Sequence, residues 1–96
     1  MFDKLNAMKQ QMEDLKLRMD QLQMNAEAHH GAIRVTANGN GLIVAIKLNP
    51  EWLCECDADE AEEMIQVAVN RALEAASDAH AQEMKGLAGG LLPGLF

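Results

Sequence analysis

The side chains that could bind a metal ion are few and scattered in this 96-residue sequence. Cys54 and Cys56 lie two residues apart in CEC, His29 and His30 are adjacent, and His80 stands alone. Structural zinc sites use pairs such as Cys-x-x-Cys or two histidines one helical turn apart, and neither spacing occurs here. Two cysteines this close cannot join distant segments, and such cysteine usage fits a reducing compartment. We therefore predict no metal site, no cofactor and no disulfide framework.

The glycines of NGNG, residues 38–41, raise the question of a phosphate-binding loop. A P-loop requires G-x-x-x-x-G-K followed by Ser or Thr, and a dinucleotide loop requires G-x-G-x-x-G between a strand and a helix. Gly39 and Gly41 instead lie between two stretches with strand-like alternation, and no helix start follows them. Asn-Gly in that position is a strong signal for a hairpin turn. We predict that NGNG is a turn in a sheet.

Carboxylates are abundant, but their placement does not indicate catalysis. The run DADEAEE, residues 57–63, starts with Asp57 three residues before Glu60, which is the spacing of a helix N-cap and its partner. Acidic side chains in a first helical turn also interact favourably with the helix dipole. The few Ser, Thr and Cys residues show no nucleophile motif, and the chain contains no Tyr. We predict that the protein is not an enzyme.

The composition predicts one small domain with a thin aliphatic core. Apolar residues make up 49% of the chain, with only one Trp and two Phe. A chain this short buries little surface, so association with a second copy is expected. No segment approaches the roughly 20 apolar residues of a membrane span, and the charged N-terminus does not resemble a signal peptide. We expect a soluble cytoplasmic protein that does not contact membranes.

The net charge of −7 is concentrated in one part of the chain. Residues 51–83 contain ten acidic residues and one base, whereas residues 1–20 contain four bases and four acids. An acidic balance opposes tight non-specific binding of nucleic acid, because such binding depends on neutralising phosphates. The acidity is local, however, and the N-terminal segment is neutral.

The first segment is predicted to be a helix with one apolar edge. Its apolar residues recur at intervals of three and four, at Leu5, Met8, Met12, Leu15, Met19 and Leu22. We name this set the heptad seam, since only a helix places such a pattern on one face. Ion pairs one turn apart are expected between Lys9 and Glu13 and between Asp14 and Arg18. The seam covers roughly three heptads, which is short for a free coiled coil, so we expect it to pack on a sheet or a partner.

Three strands are predicted next, because the apolar period changes to two. They cover residues 22–28, 33–38 and 42–48, with HHG and NGNG as the turns between them. In the third strand, one face is predicted to carry Leu42, Val44, Ile46 and Leu48. Asn49-Pro50 ends this strand, since Pro cannot donate a ladder hydrogen bond.

A long helix is predicted from the Asp57 cap to Gly86, after a connector whose Trp52 and Leu53 are expected to anchor in the core. Its apolar stripe is mostly Ala, which permits close packing. The remaining GLAGGLLPGLF is too rich in Gly to hold a helix. The predicted fold is α+β, in the order α-β-β-β-α with a three-stranded antiparallel sheet. Residues 1–85 form one domain, and residues 86–96 form a flexible Gly/Leu-rich tail.

Four stretches of the chain together form a recognisable pattern: MFDKLNAMKQQMEDLKLRM, GAIRVTANGNGLIVAIKLNPEWL, VAVNRALEAA and GLAGGLLPGLF. They resemble the YbaB/EbfC family of nucleoid-associated proteins over nearly the whole chain. The VTANG and LNPEWL portions are similar to the family signature V.V..NG…I.IDP.LL. Two departures stand out: LNP replaces the more usual IDP, and the last helix is acidic where phosphate binding favours Lys or Arg.

The resemblance implies a homodimer whose sheets join into one platform, with helices that project like tweezers. It also implies a location in the nucleoid and binding of double-stranded DNA with little sequence preference. The residues expected in the core or the dimer interface are Leu5, Met8, Met12, Leu15, Met19, Val44, Ile46 and Leu48. The family's basic helices correspond here to Lys4, Lys9, Lys16 and Arg18 of the first helix and to Arg71 and Lys85 of the last, which are the expected DNA-binding residues.

The heptad assigns the four N-terminal bases to positions e and g, beside the heptad seam, and the four acids to outer positions. In one interpretation the bases only cover the seam with their aliphatic stems. In the other they line the inside of the tweezers, doubled to eight by the dimer, and make weak, salt-sensitive contacts with phosphates.

Two functions are therefore predicted as alternatives. The first is a nucleoid-associated DNA-binding protein that acts through backbone contacts without reading bases. The second is a dimeric protein-interaction module with weak or no DNA binding, in line with the net charge of −7. Such a module would bind a protein partner through the Met-rich seam or the C-terminal tail, because Met adapts to irregular surfaces.

Overall fold

The protein consists of two long helices, one short helix and a three-stranded sheet in this computed structural model, which describes residues 2–91 and the side chains of residues 3–86. The elements are α1 (Phe2–Gln21), β1 (Gln23–Ala28), β2 (Ile33–Asn38), β3 (Ile43–Leu48), α2 (Pro50–Glu55) and α3 (Ala58–Leu91). The strands form one antiparallel sheet in the order β1-β2-β3. The predicted α+β class and antiparallel sheet are confirmed.

The core lies between α3 and one face of β1 and β2. In β2, the predicted alternation is confirmed, because Ile33, Val35 and Ala37 are fully buried while Arg34 is exposed. The facing residues of α3 are Ala68, Ala72 and Ala76, all fully buried. Alanines four residues apart lie on one side of a helix, and their small side chains bring the α3 backbone close to the sheet.

A β-bulge at Val44 changes which residues of β3 face the core. Thr36 pairs with Ala45, but the next residue of β2, Ala37, pairs with Ile43, so Val44 has no partner. An extra residue in one strand shifts its alternation, and side chains beyond it point to the other face. The prediction that Leu42, Val44, Ile46 and Leu48 share one face is therefore wrong as a set. Ile46 and Leu48 pair with core-facing residues of β2, but beyond the bulge Ile43, and not Leu42, takes the corresponding position.

The predicted connector after β3 is the short helix α2. The side chain of Asn49 caps it by accepting hydrogen bonds from the backbone N–H groups of Glu51 (2.9 Å) and Trp52 (3.2 Å). Pro50 occupies the first helical turn, so Asn49-Pro50 starts a helix as well as ending a strand. Trp52 packs against the core as expected, whereas Leu53 is 42% exposed and does not.

The start of α3 is as predicted, but its end is not. The Asp57 carboxylate accepts a hydrogen bond from the backbone N–H of Glu60 at 2.8 Å, which confirms the cap. The helix then continues to Leu91, so the prediction that it ends at Gly86 is wrong. Its last turns contain Gly86, Gly89 and Gly90, each of which costs a helix about 0.5–1 kcal/mol relative to Ala, and α3 continues through all three. Residues 92–96 of the tail lie outside the described residues, and the tail's flexibility stays a prediction.

The NGNG turn closes the hairpin between β2 and β3, as predicted. The backbone N–H of Asn38 donates to the carbonyl of Leu42 at 2.9 Å. The Asn38 side chain is 5% exposed, and its oxygen accepts hydrogen bonds from the backbone N–H groups of Asn40 (3.0 Å) and Leu42 (3.1 Å). These internal bonds satisfy a buried amide and give the turn a defined shape.

The same turn also holds the C-terminal end of α1. The backbone N–H of Gly39 donates to the carbonyls of Met19 (2.8 Å) and Leu22 (3.0 Å). The Asn40 side-chain amide donates to the carbonyl of Lys16 at 3.0 Å and also contacts the Asp20 carboxylate. Met19 lies in the last turn of α1, where carbonyls lack i+4 partners, so the Gly39 N–H supplies a donor that the helix end needs.

Substitution of Gly39 by Ala is expected to destabilise the fold. A Cβ at this position would lie 2.9 Å from both the backbone oxygen and the Sδ of Met19, so the end of α1 would have to move. We expect the free energy of unfolding in urea to fall by about 1–3 kcal/mol. Gly86→Ala is the control, because no described atom lies within 4 Å of a Cβ there. Equal stability of the two variants would contradict the proposed role of Gly39.

Candidate nucleic-acid interface

The N-terminal half of α1 extends from the body of the protein. Every residue from 3 to 14 is exposed, and among residues 3–21 only Leu15 and Met19 are buried. The heptad seam is thus divided, because its members Leu5, Met8 and Met12 are between 47% and 61% exposed. The helix α1 is therefore an arm anchored at one end, with Lys4 and Lys9 on its exposed half and Lys16 and Arg18 near the anchor.

An apolar groove lies between this arm and α3. The cavity has a volume of about 650 Å³ and is lined from α1 by Met12, Leu15 and Met19 and from α3 by His80 and Met84. Lys9 and Lys16 also line it, together with Glu13 and Asn40. The groove combines adaptable methionine surface with two lysines.

The predicted DNA-binding lysines of α1 have no ion-pair partner in the described part of the chain. Lys4, Lys9 and Lys16 are exposed, and none lies within ion-pair distance of a carboxylate of residues 3–86. The expected pair between Lys9 and Glu13 is not formed. These three ammonium groups are therefore available to an anion from outside the chain.

Arg18 differs from the lysines because α3 supplies it with a partner. Its Nη2 lies 3.0 Å from Oε2 of Glu83. The expected pair between Asp14 and Arg18 is not formed, and the Asp14 carboxylate instead accepts a hydrogen bond from the side chain of Gln10 at 3.0 Å. A helix alongside α1 offers a carboxylate that sequence spacing alone does not reveal.

The two predicted bases of α3 have different surroundings. The Arg71 guanidinium donates from Nη1 to the backbone carbonyl of Glu27 at 2.9 Å and so ties α3 to β1. Lys85 is exposed, follows Met84 of the groove, and has no ion-pair partner among residues 3–86. The structure therefore gives Arg71 a structural contact with the sheet, whereas Lys85 is exposed next to a residue that lines the groove.

Sequence reasoning did not select two further bases, which lie on the outer face of the sheet. Arg34 and Lys47 are partners in the register of β2 and β3. Nε of Arg34 lies 3.2 Å from Oε1 of Glu27, while Lys47 has no ion-pair partner in the described chain. In each strand these bases alternate with residues that face the core. This alternation is the sequence signal that would have placed both bases on the outer face of the sheet.

The residues with metal-binding or nucleophilic chemistry do not form a site in the described structure. No group of three or more His, Cys, Asp or Glu side chains among these residues is arranged to hold a metal ion. Partial burial raises the pKa of the Cys56 thiol, and the nearby carboxylate of Glu60 raises that pKa further. A raised pKa lowers the thiolate fraction and with it the reactivity.

Among the described residues, no helix has the length and apolar character that a membrane crossing requires.

Comparison with known proteins supports the fold and places the chain in a family. The model of the YbaB/EbfC DNA-binding family matches residues 1–91. A "Nucleoid-associated protein" of Clostridium kluyveri is 41% identical, with 95% of this chain and 86% of the relative covered. Another, from Pelotomaculum thermopropionicum, is 39% identical, with 100% and 92% covered.

A solved structure of an uncharacterized protein from Helicobacter pylori has the same fold. Its TM-score is 0.66 at 22% identity, with 92% of this chain and 98% of that chain covered. The order of helices and strands, the NGNG hairpin and the family match agree with one another. The chain belongs to the YbaB/EbfC DNA-binding family.

Proposed function

We propose that this protein binds double-stranded DNA in the nucleoid, as a homodimer that contacts the phosphate backbone with little sequence preference. The observation that carries the proposal is the set of three exposed α1 lysines, Lys4, Lys9 and Lys16, without carboxylate partners among residues 3–86. The family is named for DNA binding, and the relatives are named for association with the nucleoid.

The charge distribution supports backbone contact despite the net charge of −7. The range of an exposed charge is about 10 Å at 0.1 M salt, so acids farther than this from the α1 lysines act weakly on them. Lysine is a point charge on a flexible stem and binds phosphate without selecting a base. Two protomers would together present six such lysines, which suits salt-sensitive binding.

Exposed apolar surface supports a dimer. β3 pairs only with β2 in the described chain, so its other edge is unpaired, and Leu42, Val44 and Ile46 are between 48% and 61% exposed. Exposed apolar edge strands favour pairing with another chain. We propose that the β3 edges of two protomers meet to form a platform from which the α1 arms project like tweezers.

The groove between α1 and α3 favours a second candidate function, a dimeric protein-interaction module. A methionine-rich groove of about 650 Å³ is suited to an apolar segment of a partner. The two functions differ in their response to salt, because counterion release dominates DNA binding and contributes little to apolar docking.

Reversal of charge at two α1 lysines is expected to weaken DNA binding. Fluorescence anisotropy with a labelled duplex across a salt series should show a steep dependence for the wild type, up to a slope of about −5 for six phosphate contacts. Lys9→Glu/Lys16→Glu should reduce affinity at least about tenfold at low salt and flatten this slope.

Lys47→Glu is the matched control for the single substitution Lys9→Glu. It reverses the same charge, but on the sheet and not on α1. An equal loss from both single substitutions would contradict the assignment to α1. If the wild type shows no binding even at the lowest salt, DNA binding is refuted and the interaction-module alternative is favoured.

Substitution on the β3 edge is expected to dissociate the dimer. Ile46→Lys would place an unpaired charge in the proposed interface and raise the dissociation constant at least about tenfold in sedimentation equilibrium. Leu5→Lys, at the far end of the α1 arm, is the comparison. Dissociation by Leu5→Lys but not by Ile46→Lys would indicate that the interface lies at the heptad seam and not at β3. A monomer mass of the wild type at all concentrations would refute the dimer.

A further inference from the structure

We infer that Glu83 is a built-in competitor for DNA at Arg18, so that the wild-type chain binds DNA less tightly than its bases allow. This inference rests on the proposed function. The contact joins residues 65 positions apart in sequence, with Nη2 of Arg18 lying 3.0 Å from Oε2 of Glu83. It connects the α1 arm, which carries the candidate lysines, to the acidic helix α3.

A carboxylate and a phosphate bind a guanidinium in the same way, through charge-assisted hydrogen bonds to its planar N–H groups. While Glu83 accepts from Nη2, a DNA phosphate must displace it to use that donor. After displacement, the Glu83 carboxylate stays next to the phosphate and repels it. Glu83 thus opposes DNA twice, by holding Arg18 and by leaving a negative charge at the contact.

The pair is suited to weak competition rather than to a permanent block. The side chains of Arg18 and Glu83 are 63% and 41% exposed. Exposed ion pairs of this kind contribute only about 0–1 kcal/mol, so phosphates at high local density can displace the carboxylate. Salt screens both the Arg18–Glu83 ion pair and the contact of Arg18 with DNA. The dependence of DNA affinity on salt therefore differs between a chain with Glu83 and one without it.

Glu83 is distinct from the other acids of α3 in this region. Glu74 and Asp78 form no ion pair with any base of residues 3–86, whereas Glu83 contacts one of the four bases beside the heptad seam. None of the three lysines of α1 has such a partner among residues 3–86. Among the described bases of α1, the competition is therefore specific to Arg18.

The test compares DNA affinity of the full-length wild type and Glu83→Gln by fluorescence anisotropy across a salt series. Glu83→Gln should tighten binding by up to about fivefold at low salt, as expected for one exposed ion pair. The salt dependence should steepen by about 0.9 in slope for each Arg18 that gains a phosphate. Glu83→Ala should behave similarly and checks the result with a second helix-compatible residue.

Glu74→Gln is the matched control, because it removes the same charge from the same helix. Its effect on affinity should be clearly smaller than that of Glu83→Gln. Equal tightening by the two variants would overturn the inference, since it would reflect only the lower net negative charge of the chain.

Arg18→Gln breaks the same bridge from the other side and separates charge competition from arm positioning. Competition predicts that Arg18→Gln does not tighten binding, and that adding Glu83→Gln to it has little further effect. Tightening by Arg18→Gln would show that the bridge acts by positioning α1 and would overturn the inference.

If wild type and Glu83→Gln bind DNA equally, the inference fails while the proposed function stands. If neither binds, the proposed function fails as well.

Discussion

The close approach of Gly39 to the end of α1 is the contact on which the position of the basic arm depends. Among residues 3–21 the arm buries only Leu15 and Met19, so these described side chains form a small apolar contact. Its direction relies on the hydrogen bonds from the NGNG turn and on the missing side chain at Gly39, where a Cβ would meet Met19 at 2.9 Å. The turn that closes the β2–β3 hairpin therefore also sets where the lysines of α1 stand.

Local charge matters more for this protein than its total of −7. The α1 arm carries three lysines without partners in the described chain, while the neighbouring helix α3 contributes the carboxylate that contacts Arg18. The same two helices thus present sites for phosphates and a group that competes with phosphates. Because exposed charges are screened over about 10 Å at 0.1 M salt, these nearest neighbours dominate the balance.

Much of the fold was predictable because its signals are local. The heptad seam of α1, the alternation in β1 and β2, the Asn-Gly hairpin and the Asp57 cap each depend on residues within one or two turns or strands. The bulge at Val44 and the length of α3 were not predictable in this way. A bulge depends on register with the neighbouring strand, and α3 continues through three Gly residues although Gly has a low helix propensity. The helix α2 was missed although Asn49-Pro50, its cap and first residue, is visible in the sequence.

The sequence by itself determined which bases exist and that four of them flank the seam of one helix, since a heptad follows from spacing alone. Only the tertiary structure decided which of them are engaged within the chain. Arg71 donates to the Glu27 carbonyl, and Arg18 pairs with Glu83, 65 positions away. Lys9 and Lys16 instead line a groove without an ion-pair partner among residues 3–86. The physical reason is that ion pairs form over a few ångströms, and distances between remote residues are set by packing.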